Sequence, residues 1–225
     1  MGLYLPRWVW IGTAALAAVA GMVNVVGYLG FEHQAITHLT GTTTLLGAAI
    51  ARGELVSAVR LFCAAAAFVA GAALGGLMIQ GSTVVLGRRY GIALALESAL
   101  LLAALPLFDR QQLGGPLLAA AACGLQNAMA TTFSGAVVRT THVSGMFTDL
   151  GIGIGHALRG LPLPKRRLQL CALVITAFFT GSVIGALLFV RIGYGALLLP
   201  AALTGLAGLG YAAYRHLHPY STTSS

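Results

Sequence analysis

Charge is what this chain has least of. Only 8% of its 225 residues are charged, and just five are acidic. A soluble domain carries about 25% charged residues, so a water-facing surface of ordinary size is excluded. Three cysteines, Cys63, Cys123 and Cys171, fall in or beside apolar runs without paired spacing. That excludes a disulfide framework or a cysteine zinc site and leaves buried thiols. No HExxH spacing and no G-x-S-x-G frame occurs, so the common metal-hydrolase and serine-hydrolase signatures are missing. The net charge of +8 comes from basic residues set singly or in short clusters between apolar runs. There is no basic face with interleaved aromatics, which argues against nucleic acid as a partner. The same residues suit a role in orienting helices across a membrane.

What the chain does have is apolar length. Hydrophobic residues make up 58% of it, and its mean hydropathy is +0.88. Spanning the hydrocarbon of a bilayer takes about 20 apolar residues in a helix. Runs of that kind lie at 8–30, 57–80, 90–108, 115–133, 168–190 and 193–214. The expected fold is therefore an all-α polytopic membrane helix bundle with six spans and no soluble domain. Arg7 followed by an apolar run resembles a secretion signal, but the first span shares a repeated motif with a later one and is expected to stay.

The repetition is the main signal. Residues 38–47 read HLTGTTTLLG and residues 142–151 read HVSGMFTDLG. Matched positions are His38 and His142, Thr40 and Ser144, Gly41 and Gly145, Thr44 and Thr148, Leu46 and Leu150, and Gly47 and Gly151. Upstream, Gly21 and Asn24 correspond to Gly124 and Asn127. Downstream, Gly71-xxx-Gly75 corresponds to Gly181-xxx-Gly185, and Tyr90-Gly91 to Tyr194-Gly195. Such internal duplication fixes the architecture before any single residue does. It gives a first membrane repeat over 1–110, a second over 111–218, and a disordered tail over 219–225.

Each repeat holds one segment too short to cross. From His38 to the residue before Arg52 the chain makes about 21 Å of helix at ~1.5 Å per residue, against ~30 Å of hydrocarbon. The stretches before the motifs, 35–37 and 137–141, are rich in β-branched residues and are expected to be extended. The reading is a re-entrant half-helix in each half, entered through extended chain and sheltered by protein. Three full crossings per half then make the halves an inverted repeat. Basic residues agree with cytoplasmic termini. Arg7, Arg88, Arg89, Arg159, Lys165, Arg166, Arg167 and Arg215 fall inside, against Arg52, Arg60, Arg110 and Arg191 outside. Eight full spans in parallel repeats would give a similar bias, and segment length is what favours six.

The motifs resemble the YoaK-like family of bacterial polytopic inner-membrane proteins, whose function is unassigned. The resemblance rests on Gly21-x-x-Asn24, Thr40-Gly41-Thr42, Gly124-Leu-Gln126-Asn127 and Thr140-Thr141-x-x-Ser144-Gly145. It implies a multi-pass protein of the inner (plasma) membrane and brings no substrate. That family tends to carry an acid where Asn24 stands, so a proton role for an acid at this position does not carry over.

Helix N-termini offer unpaired N–H groups and partial positive charge, a natural place for an anion. Thr40 and Ser144 suit the N-cap, as do Thr37 and Thr141, and Gly41 and Gly145 would let a ligand approach the backbone. The candidate substrate-binding residues are Asn24, His38, Thr40, Gly41, Thr42, Thr44, Gln126, Asn127, Arg139, His142, Ser144, Gly145 and Thr148. Two acids are candidates for proton coupling. Glu97 lies inside an apolar span and matches Ala201; a buried pair with an arginine is its other reading. Asp149 has Arg139 near it in sequence, and a structural ion pair between them is the alternative. The expected partners are the lipid bilayer and a small polar or anionic solute, with no cofactor, no metal and no catalytic residue. The second class is a scaffold or assembly protein using the glycine faces, including pairing of identical chains. The third is an intramembrane metal-dependent hydrolase built on His38, His142, Asp149 and Glu32.

Overall fold

In lipid, a segment's backbone polar groups must be satisfied within the protein, so long apolar runs become helices. A computed structural model describes residues 6–31, 36, 38–79, 88–133 and 140–217. Arg139, Glu32, His33, the tail over 219–225 and most of the two expected extended stretches lie outside the described residues. The chain is all-helical over the described part. The helices are α1 (Arg7–Gly30), α2 (Leu39–Ala51), α3 (Leu55–Met78), α4 (Arg88–Asp109), α5 (Gly114–Phe133), α6 (Val143–Leu158), α7 (Lys165–Ile192) and α8 (Leu198–Leu217). A 3₁₀ turn, Gly193–Leu197, joins the last two.

Among the described residues, four stretches are long and apolar enough to cross a membrane: Arg7–Gly30, Leu55–Met78, Arg89–Asp109 and Lys165–Tyr214. The last contains both α7 and α8. The expected span at 115–133 does form a helix, α5, but Gln126, Asn127, Thr131 and Thr132 dilute its apolar character. Lipid-facing stripes run along the outside. Leu55, Val59, Phe62, Val69 and Leu77 of α3 are exposed, as are Phe179, Val183, Leu187 and Val190 of α7. Apolar surface on that scale suits lipid rather than water. Several long apolar helices with such faces make this a multi-pass membrane protein.

Glycines set the helix pairing. α1 packs on α7, α3 on α5, and α4 on α8, with α2 lying on α3 and α6 on α7. A Cβ on Gly71 would stand 1.9 Å from the Ala121 carbonyl oxygen, and one on Gly181 would stand 2.1 Å from that of Ala18. A Cβ on Gly124 would meet the Phe68 carbonyl oxygen at 2.0 Å, and one on Gly21 that of Phe178 at 2.2 Å. The helix backbones therefore touch, as small residues in membrane bundles allow. Gly71, Gly75, Gly181 and Gly185 all serve this packing within the chain.

The tyrosine pair departs from expectation. The matched pairs sit differently: Tyr90-Gly91 lies in the first turn of α4, while Tyr194-Gly195 lies in the 3₁₀ turn before α8. Tyr194 is drawn into the core. Its ring stacks on Phe108 at 4.9 Å, its hydroxyl donates to the Gly30 carbonyl, and the Gln111 amide donates to that hydroxyl at 3.0 Å. All three cysteines are free, with Cys123 and Cys171 buried.

Candidate functional site

The two short helices are built alike at both ends. α2 has 13 residues and α6 has 16, about 20 and 24 Å of helix at ~1.5 Å per residue. Their N-caps are His38 and His142, with similar backbone angles (φ −92°, ψ 68° and φ −96°, ψ 55°) and no capping bond from either side chain. The expectation of Thr40 and Ser144, or Thr37 and Thr141, at this position is corrected. Each helix begins two residues earlier than the hydroxyl pair Thr40 and Ser144 implies. Among the described residues no N-cap side chain takes up the first-turn N–H groups of either helix.

Gly41 and Gly145 also have a different role from the one expected. A Cβ on Gly41 would lie 2.5 Å from Cδ2 of His38, and one on Gly145 would lie 2.6 Å from Cδ2 of His142. Each glycine makes room for the imidazole of its own N-cap. At the other end, Arg52-Gly53 and Arg159-Gly160 stop the helices in the same way. Gly53 (φ 70°) and Gly160 (φ 68°) adopt left-handed backbone. The Gly53 and Glu54 N–H groups reach Ile50 and Ala49 carbonyls, and those of Gly160 and Leu161 reach Ala157 and His156. This is the Schellman pattern twice over, a repeated feature that the motif alignment missed.

Both N-termini open on one cavity of ≈ 440 Å³. Its walls are Asn24, His38, Leu39, Thr40, Phe68, Asn127, Thr141, His142, Val143, Ser144 and Phe178. Ten of these eleven fall into pairs at matching places: Asn24 with Asn127, His38 with His142, Leu39 with Val143, Thr40 with Ser144, and Phe68 with Phe178. The Gly-x-x-Asn motif now has a physical cause. Gly21 and Gly124 bring α1 and α5 against the backbones of Phe178 and Phe68. One turn later Asn24 and Asn127 reach the cavity wall. Phe68 and Phe178 were missed from sequence, although each stands three residues before the paired glycines Gly71 and Gly181. Asn127 Oδ1 is buried and has no hydrogen-bond partner among the described residues.

Other expected members lie elsewhere. Gln126 is fully buried and its amide donates to the Leu16 carbonyl at 3.0 Å, tying α5 to α1 rather than facing the cavity. The Thr44 hydroxyl donates to the Thr40 carbonyl at 2.9 Å, and that of Thr148 to Ser144 at 3.1 Å. Thr42 donates to the His38 carbonyl at 3.2 Å. These three hydroxyls serve their own helices and do not line the cavity. Asp149 pairs with Arg167, which offers two nitrogens at 3.0–3.2 Å across α6 and α7; the expected Arg139 partner lies outside the described residues. Glu97 is buried on α4 without an arginine partner among the described residues. Among these residues no three of His, Cys, Asp and Glu come together as a metal group would require.

No curated protein and no solved structure matches the chain. All the cavity residues and most of the bundle fall within 12–210, the region matched by the family model described as protein of unknown function (DUF1275), and the chain belongs to that family.

Proposed function

We propose that the protein is a membrane transporter of a small polar solute, with a small anion or carboxylate favoured. The observation that carries this reading is the single cavity onto which α2 and α6 both point their N-termini. Its volume, ≈ 440 Å³, lies within the roughly 300–1,000 Å³ of small-molecule sites. Uncapped first-turn N–H groups favour negative charge, and two such ends double the attraction. His38, His142, Thr40 and Ser144 supply further donors, and the unpartnered Asn127 oxygen accepts a hydrogen bond from solute or water.

In this reading the chain is two inverted three-span repeats, with α2 and α6 as half-helices ending near the bilayer midplane. Broken or partial helices meeting at the midplane between repeats are how many carriers build their site. The membrane is the bacterial inner membrane, the termini are cytoplasmic, and the protein is not an enzyme. Alternating access follows from one repeat rocking on the other around the cavity.

The test is a thermal-shift screen of the purified protein against small anions, because a ligand that binds only the folded state stabilises it. At least one anion is expected to raise the melting temperature, and His38→Ala and His142→Ala are each expected to reduce that rise. If no anion shifts the wild type, the anion reading fails.

A further inference from the structure

Among the described residues Glu97 is the one deeply buried acid, with 1% of its surface exposed. It sits at mid-helix in α4, and its Oε2 has no hydrogen-bond partner among the described residues. No Lys, Arg or His among the described residues forms an ion pair with it. The groups facing it from each packed element are few. From α5 comes the thiol of Cys123, which interacts with it electrostatically. From α8 come polar but uncharged neighbours of Ser98, whose hydroxyl donates to the Ala201 carbonyl at 2.7 Å. The α8 tyrosine Tyr211 lies instead against Tyr90, nearly two turns from Glu97. Tyr194 of the 3₁₀ turn is held by Gly30 and Gln111. Where α3 meets α4, Arg89 donates to the Met78 carbonyl, at the far end of α3 from its own Arg60 and Cys63.

Burying a carboxylate with neither a countercharge nor a full set of hydrogen bonds is costly, and among the described residues Glu97 has no countercharge and an unpartnered Oε2. A neutral polar group kept only for structure would use its hydrogen-bonding atoms, as the buried Ser98 next to it does through the Ala201 carbonyl. Here the oxygen is idle. Other buried oxygens lack a partner among the described residues, including Thr13 Oγ1 on α1 and Gln126 Oε1 on α5, both on residues with no exposed surface. Asp149 cannot play this part while Arg167 holds it as an ion pair at a partly exposed position.

We propose that Glu97 is a proton-binding site, protonated in the conformation described here and exchanging that proton with water when α4 shifts against α5 and α8. Only the O–H bond forms and breaks; the proton comes from water and returns to it. Proton coupling of transport follows if the carrier reading holds, whereas the proton site itself stands without that reading.

Infrared spectroscopy on the full-length protein in lipid vesicles tests this. At neutral pH a protonated-carboxyl C=O band is expected, kept in Glu97→Asp and lost entirely in Glu97→Gln. The chain has only five acids, so the assignment is simple. On transfer to D₂O the band is expected to shift while the protein stays folded, which a sealed structural acid would not do. Absence of the band, or a band indifferent to D₂O until denaturation, overturns the proposal. Survival of the band in Glu97→Gln overturns it too. The anion screen reads independently: no anion binding with an exchanging Glu97 band sinks the solute reading alone, and anion binding without the band sinks this one alone.

Discussion

The imidazole of His38 fills the space that a Cβ on Gly41 would need, with Cδ2 2.5 Å from that position. His142 stands in the same relation to Gly145 at 2.6 Å. The obstacle is a side chain that can rotate, so Gly41→Ala is expected to displace the ring and leave the helix intact. Stability should change by less than about 1 kcal/mol, since alanine's better helix propensity offsets part of the crowding. In a His38→Ala background the same substitution is expected to be neutral or stabilising. A double-mutant cycle on melting in detergent should therefore give a coupling of about 0.5 kcal/mol or more. Simple additivity would mean that ring and glycine do not meet.

Where a glycine faces backbone, nothing can rotate away. Gly71→Ala, Gly124→Ala, Gly21→Ala and Gly181→Ala each place a methyl within 2.2 Å of a carbonyl oxygen. Each is expected to part its helix pair and cost about 1–3 kcal/mol, the usual range for overpacking. Gly76 has nothing within 4 Å of its Cβ position. Gly76→Ala is thus the control, neutral or stabilising by up to ~1 kcal/mol. Equal effects at Gly71 and Gly76 would contradict the packing.

Much of this arrangement was legible because hydrophobic length and exact spacing survive in one dimension. Residues 8–30 announce α1, and the doubled His-x-x-Gly points to two equivalent helix starts. Other features depend on neighbours that sequence does not display. That His38 is itself the N-cap follows from its backbone angles, while hydroxyl preference pointed to Thr40. Gln126 sits beside Asn127 in sequence, but a helix turns successive residues about 100° apart, so one meets Leu16 and the other the cavity. Asp149 reaches Arg167 because α6 packs back along α7, which no local pattern reveals. Phe68 and Phe178 were readable in principle, by carrying the repeat three residues upstream of the paired glycines.

The stops of the short helices give another prediction. Gly53 and Gly160 have positive φ with open space around them, so the penalty for a side chain there is conformational and not steric. Gly53→Ala and Gly160→Ala are each expected to cost about 1 kcal/mol, and the Asn substitutions less, because Asn tolerates left-handed backbone. Equal losses for Ala and Asn in thermal denaturation would mean that the left-handed turn is not what the glycine supplies.

Asp149 and Arg167 form a well-directed pair, yet their side chains are 25% and 57% exposed. Pairs of that exposure contribute about 0–1 kcal/mol. Asp149→Asn is expected to lower the melting temperature slightly and to leave anion binding in place. Loss of anion binding in a folded Asp149→Asn protein would move this acid from helix pairing to the site.

The orientation of the two halves can be tested at the ends of the short helices. Arg52 and Arg159 close α2 and α6 in the same way, one residue before the left-handed glycine. If both N-termini meet at the midplane and the repeats are inverted, the helices leave the cavity toward opposite faces. Arg52→Cys should then react with a membrane-impermeant thiol reagent from the outside only, and Arg159→Cys from the cytoplasmic side only, in a background where Cys63, Cys123 and Cys171 are replaced by Ser or Ala. Parallel repeats put the two positions on the same face. Helix length bears on the outcome: at about 20 and 24 Å, neither segment covers ~30 Å of hydrocarbon unaided. Same-side labelling of both cysteines would remove the inverted repeat and, with it, the shared midplane chamber on which the transport proposal depends.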